Sequence, residues 1–167
     1  MVPMGRPASL ARSWCRSRGA DAAGIDTYLG APAAEVIARC EATGDAGDLT
    51  SVIIGPGGSG PFLFLGLGDE SPAAMRAAGA AVGRQVAPGR TLVTSALLGK
   101  PAEAAHAFIV GLLLGSYRWS QKRNEAGRDD SPGEVRLLTA GPDEHADVLT
   151  AARTVAAAVA LARDPGG

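Results

Sequence analysis

Pro101-Ala-Glu-Ala-Ala-His-Ala-Phe-Ile-Val-Gly-Leu-Leu-Leu-Gly-Ser-Tyr-Arg-Trp-Ser-Gln-Lys-Arg123 is the stretch whose reading decides the fold. It is helix-capable, apolar on every side over its first three turns, and closes on the densest aromatic and basic cluster of the chain. A helix apolar all round must be covered all round, so it is central to the fold or covered by a partner. Ala107, Gly111 and Gly115 recur every fourth residue and make a smooth stripe that lets another backbone approach closely. Tyr117, Arg118, Trp119, Lys122 and Arg123 end the helix either as an interface rich in aromatics and arginine or as a basic last turn that complements the helix dipole.

The flanking segments place this helix. Arg90 to Leu97 precedes it and Glu134 to Thr139 follows it, both with strand character, so it reads as the crossover between two parallel strands, packed on the sheet through its small-residue stripe. Further out, Ser71-Pro72 is a cap followed by proline, opening a helix with Met75, Gly79, Val82 and Val86 on its inner face and stopped by Ala87-Pro-Gly89. Before it, Leu49 to Ile54 and Phe62 to Leu67 are short apolar runs joined by Gly55-Pro-Gly-Gly-Ser-Gly60, which predicts a hairpin. Pro32 starts an earlier helix with Val36, Ile37 and Cys40 on one face and Gly44 as its stop. A last helix starts at Pro142 with acids in its first turn and buries Val148, Ala152, Val155 and Val159. This order predicts an α/β fold with a mostly parallel sheet flanked by helices on both faces.

Composition narrows the function. A chain of 167 residues fits one domain with a core that needs no disulfide or metal. A net charge of -1 supplies no global field for nucleic acid or an anionic membrane. The longest apolar run, Ala104 to Leu114, is interrupted by His106 and falls far short of the ~20 residues of a membrane span. Cys15 and Cys40 lack metal-ligand or redox spacing, which favours free thiols in the cytoplasm. Residues 1–24 are Arg- and Ala-rich and read as a disordered tail.

No catalytic, cofactor-binding or metal-binding residue is assigned. The 55–60 loop leads into a strand rather than a helix start, so it reads as a turn. Gly66-Leu-Gly-Asp-Glu-Ser-Pro72 does run from a strand end to a helix start, where α/β folds hold ligands, but lacks the third glycine of a dinucleotide fingerprint and the Lys-Ser/Thr of a triphosphate loop. Asp143-Glu-His-Ala-Asp147 resembles a metal cluster in composition alone, since acids are expected in a first helical turn. His106 reads as a packed or hydrogen-bonded core histidine. Neither Gly-x-Ser-x-Gly nor His-Glu-x-x-His occurs.

Four segments in order carry a family resemblance: Leu65-Gly-Leu-Gly-Asp69, Met75-Arg-Ala-Ala-Gly-Ala-Ala-Val-Gly-Arg84, Gly111-Leu-Leu-Leu-Gly-Ser-Tyr-Arg-Trp119 with Lys122 shortly after, and Ala156-Ala-Ala-Val-Ala-Leu-Ala-Arg-Asp164. Over residues 25–164 the chain resembles the N-terminal domain of the leucyl (cytosol) aminopeptidases, with residues 165–167 in place of an interdomain linker. The resemblance implies a macro-domain-like fold that precedes a catalytic domain with two divalent metal ions such as zinc or manganese, assembled as a hexamer. The family's metal ligands and catalytic arginine lie downstream of the Ala-Arg-Asp junction, so none is carried onto this chain. The family opens with a strand of β-formers, where this chain has its Arg- and Ala-rich start, and both ends look like breaks in a longer gene or the limits of a free-standing remnant. The expectation is a non-catalytic assembly or regulatory module in the cytoplasm, truncated or stand-alone, whose partners are an aminopeptidase catalytic domain or copies of itself, not a membrane. Two alternatives remain open: a macro-domain-like binder of ADP-ribose or a related nucleotide at the Gly66 to Pro72 turn, and local DNA binding through the Arg-rich tail and the Tyr117 to Arg123 end, against which the net charge argues.

Overall fold

The computed structural model describes residues 30–53, 61–86, 88–89, 91–117, 133–141 and 143–163. The predicted Gly55–Gly60 turn, the tail and the Arg118 to Arg123 cluster lie outside them. Helix α1 (Ala33–Arg39) is followed by β1 (Leu49–Ile53) and β2 (Pro61–Leu65), then α2 (Pro72–Gln85), β3 (Thr91–Thr94), α3 (Ala102–Ser116), β4 (Glu134–Leu137) and α4 (Ala146–Arg163). This is an α/β fold with the predicted order of elements. β1 and β2 pair antiparallel as a hairpin, Leu49 opposite Leu65. β3 and β4 pair parallel, Thr91 opposite Glu134, with α3 as their crossover.

Among the described residues the strands form two separate two-stranded sheets. In β3 and β4 one face, with Leu92, Val135 and Leu137, packs on the main core. The opposite face carries Thr91, Val93, Glu134 and Arg136 and is exposed, a period-two alternation rather than the two-sided burial of a strand covered by helices on both faces.

The organising helix is covered differently from the expectation. Phe108, Ile109, Val110 and Leu112 of α3 are buried with Met75, Ala78 and Val82 of α2, Leu97 and Ala152 of α4 in the main core. The small-residue stripe meets α2, not the sheet. A Cβ on Gly111 would overlap the Arg76 carbonyl oxygen and stand 3.1 Å from Ala80 N, and one on Gly115 would stand 2.7 Å from Ala80 Cα. The approach is reciprocal: a Cβ on Gly79 would overlap the Phe108 carbonyl, and one on Gly83 would stand 2.7 Å from Ser116 N. Glycines on both helices remove the side chains that would hold two backbones apart, and sheet packing has no need of that.

Smaller departures have local causes. α1 stops at Cys40, ahead of Gly44, where Glu41 takes φ 52° and turns the chain out of the helix. α2 ends at Gln85, leaving Val86 as a half-buried cap residue. β2 ends at Leu65 because Gly66 turns back to donate to Asp48 O at 2.8 Å. α4 begins at Ala146, after a turn in which Ala146 N donates to Asp143 O. Its Ala152 is buried and Val148 and Val159 are half-buried, but Val155 is 41% exposed.

Candidate functional site

The carboxyl ends of strands are where an α/β fold would hold a ligand, and three turns meet that description. The β2–α2 turn is built by backbone bonding to the loop before β1. Gly47 N donates to Gly66 O at 2.9 Å and Gly68 N to Gly44 O at 3.0 Å. Gly68 has φ 60° and lies against Ala46, and a side chain at Gly66 would collide with the Gly44 and Asp45 backbone, so both glycines are required by this close approach. Asp69 Oδ1 accepts from Ser71 N at 3.0 Å, Glu70 N donates to Leu67 O at 3.1 Å, and Ala74 N donates to the Ser71 hydroxyl at 3.3 Å. The Ser71 contacts hold the exposed Asp69 carboxyl below its ordinary range.

Anion sites at helix starts work by presenting free N–H groups to the ligand. Here Gly66, Gly68, Glu70, Ser71 and Ala74 all donate within the protein. A cation of the neighbouring turn is engaged as well: Lys100 Nζ lies 2.8 Å from Glu70 Oε2, with the lysine side chain 8% exposed and the glutamate 28%. Glu70 takes φ 62°, an uncommon conformation for a residue with a side chain. This pair ties the β2–α2 turn to the β3–α3 turn.

The other two turns are closed in the same way. After β3, Ala96 N donates to Thr94 Oγ1, Leu98 N to Ser95 O and Lys100 N to Leu97 O. After β4, the Thr139 hydroxyl donates to Gly141 O at 2.6 Å and Ala140 N to Glu144 Oε2 at 2.8 Å. That last bond commits one carboxylate of the Asp143 to Asp147 run to the backbone. Among the described residues no three His, Cys, Asp or Glu side chains converge to hold a metal ion. His106 is half-buried on α3. The buried histidine is instead His145, 8% exposed with both ring nitrogens unpartnered. Its place among acids at a helix start disguised it in the sequence.

Residues 16–125 match the cytosol aminopeptidase family, N-terminal domain. The chain belongs to this family. It is 34% identical over 157 residues to a probable cytosol aminopeptidase of Mycobacterium marinum, covering 87% of the chain and 30% of that protein. Of solved structures, the bottromycin maturation enzyme BotP is 30% identical with a TM-score of 0.58, over 77% of this chain and 28% of that one. A mutant of tomato leucine aminopeptidase, 21% identical, superimposes with a TM-score of 0.63 over 84% of this chain and 29% of that one and shares its fold. The chain spans about 30% of the length of the M. marinum relative.

Tyr117, half-buried, is the last described residue of the aromatic cluster and lines a groove of about 260 Å³ between α3 and α4 with Leu113, Leu114, Ala156, Val159 and Ala160. No helix among the described residues is long and apolar enough to cross a membrane.

Proposed function

We propose that this chain is a non-catalytic assembly or regulatory module of the cytoplasm, which acts beside a catalytic domain of its family. The observation that carries this reading is that the strand-end turns are closed on themselves. Their N–H donors, the Lys100 ammonium and the Glu144 carboxylate serve as internal fastenings. A site that hydrolyses a peptide needs a group to activate water and another to steady the developing charge; side chains consumed in holding turns together supply neither. In this reading zinc or manganese chemistry belongs to the partner domain.

The test is hydrolysis of leucine amide by the purified chain with added manganese or zinc, beside the full-length M. marinum relative. No turnover by the chain is the expected result. Turnover that co-purifies with the chain through successive columns overturns the reading. The ADP-ribose alternative gains no support from the Gly66 to Pro72 turn, where the Gly66, Gly68, Glu70 and Ser71 N–H groups donate within the protein.

A further inference from the structure

The seam between α3 and α4 loses its cover toward the end of α3. Ala152 of α4 and Phe108 and Leu112 of α3 are buried in the main core. Farther along, Ala156, Val159 and Ala160, which share one side of α4 at i, i+3 and i+4, are only half-buried, and so are Leu113, Leu114 and Tyr117 of the α3 wall. The groove of about 260 Å³ lies between these residues. It is smaller than the ~300–1,000 Å³ of small-molecule sites. A cavity of ~150 Å³ accepts benzene, so this groove suits a single bicyclic side chain. Tyr117 leaves α3 with φ -65° and ψ 117°, an extended backbone in which alternate side chains point to the same side. Since Tyr117 lines the groove, the next residue in register with it is Trp119. Two residues span at most about 7 Å, which keeps Trp119 within side-chain reach of the groove. It is also the one large apolar residue of the stretch 118–132, whose other members are polar, charged or small.

We propose that the α3–α4 groove seats the indole of Trp119 from the same chain. The ring fills the space that Ala156 and Ala160 are too small to fill and lies against Leu113, Leu114 and Val159, continuing the core along the seam. Indole is the side chain for which such a place is favourable, because it buries a large apolar surface and carries a single donor. The end of α3 supplies acceptors for that donor, since the last carbonyls of a helix have no intrahelical partner. The short tether settles the choice of occupant. A group held two residues from the groove competes at a very high effective concentration, and a second copy or another protein has to displace it. The aromatic and basic cluster is divided by this arrangement: Tyr117 and Trp119 face the core, and Arg118 between them faces water. The inference stands apart from the activity reading above.

Trp14→Phe leaves Trp119 as the one tryptophan of the full chain, and its fluorescence and proton contacts test this. Relative to the urea-unfolded chain, the emission is expected to be blue-shifted and the acrylamide quenching constant several-fold lower. Nuclear Overhauser contacts should join the indole protons to the methyls of Val159 and Leu113, with intensities that hold on dilution. Val159→Glu in the groove wall should shift the emission to the red and raise the quenching, whereas Leu161→Glu, at a position 74% exposed, should change neither. The Overhauser contacts are read with the groove unaltered, so they decide the matter even where Val159→Glu fails to fold. An indole as quenchable as in the unfolded chain overturns the inference. So do Overhauser contacts to residues outside the groove, or contacts that vanish on dilution and so belong to a second copy.

Discussion

Replacing Gly111 by alanine sets two well-understood effects against each other. In a helix interior alanine is favoured over glycine by about 1 kcal/mol, so α3 taken by itself gains stability. In the folded protein the new methyl overlaps the Arg76 carbonyl oxygen and stands 3.1 Å from Ala80 N. Both obstacles are backbone atoms of α2, and no rotamer change relieves them. Ordinary contact requires α2 and α3 to separate by on the order of 1 Å, which loosens the packing of Phe108, Met75, Val82 and Leu112 at once. Overpacking of this kind costs typically 1–3 kcal/mol; rigid obstacles on both sides place Gly111→Ala near the upper end. The net expectation after the propensity gain is a loss of about 1–2 kcal/mol, a fall in Tm of roughly 3–6 °C for a chain of this size. Urea unfolding and thermal melting followed by circular dichroism measure it. Gly79→Ala, which meets Phe108 O across the same interface, should do the same, and the double variant should lose less than the sum because one separation admits both methyls. Gly111→Ala with a Tm equal to or above the parent would show that the helices are not this close and refute the reasoning.

Three other outcomes follow from the same geometry. Ser71→Ala removes the hydroxyl that caps Ala74 N and should cost ~1 kcal/mol in urea unfolding. Glu70→Gln strands a Lys100 side chain that is 8% exposed; the expected loss is about 1–3 kcal/mol, less than for a fully buried pair because the glutamate keeps contact with water, and Lys100→Met should lose less. Asp69 and Glu134 are both held below their ordinary values of 3.8 and 4.5, Asp69 chiefly by the Ser71 hydroxyl and Glu134 chiefly by Arg136 and then Thr91. A depressed carboxylate contributes stability that is present above its unfolded value and lost as pH falls through its folded one. Melting temperature should therefore hold above about pH 4.5 and decline below it, with a shallower decline in Asp69→Asn, Glu134→Gln.

The sequence made the order of elements legible because each carried a local signal: Ser71-Pro72 for a helix start, β-branched runs for the strands, and a glycine and alanine stripe for a close backbone contact. The partner of that stripe was not legible. Gly111 and Gly115 announce close approach, but the reciprocal role of Gly79 and Gly83 on α2 depends on which helix lies opposite. Val155 was read as buried because its spacing from Ala152 and Val159 fits an inner stripe; in a run apolar on every side, periodicity cannot say which side faces out. The candidate site shows the same limit. Gly66 to Pro72 has the composition of a ligand-binding turn, and only the acceptors at Asp48, Gly44, Leu67 and Asp69 reveal that the Gly66, Gly68, Glu70 and Ser71 donors are occupied. His145 was hidden because an acidic first turn predicts exposure, whereas tertiary packing buries its ring.

The central claim, that the strand-end turns are fastenings rather than a binding site, is met most directly by titrating the ¹⁵N-labelled chain with ADP-ribose to millimolar concentration and following its amide resonances. The account predicts that Gly66, Gly68, Glu70, Ser71 and Ala74 stay where they are, their protons already bonded within the protein. Saturable shifts confined to those five amides would contradict it.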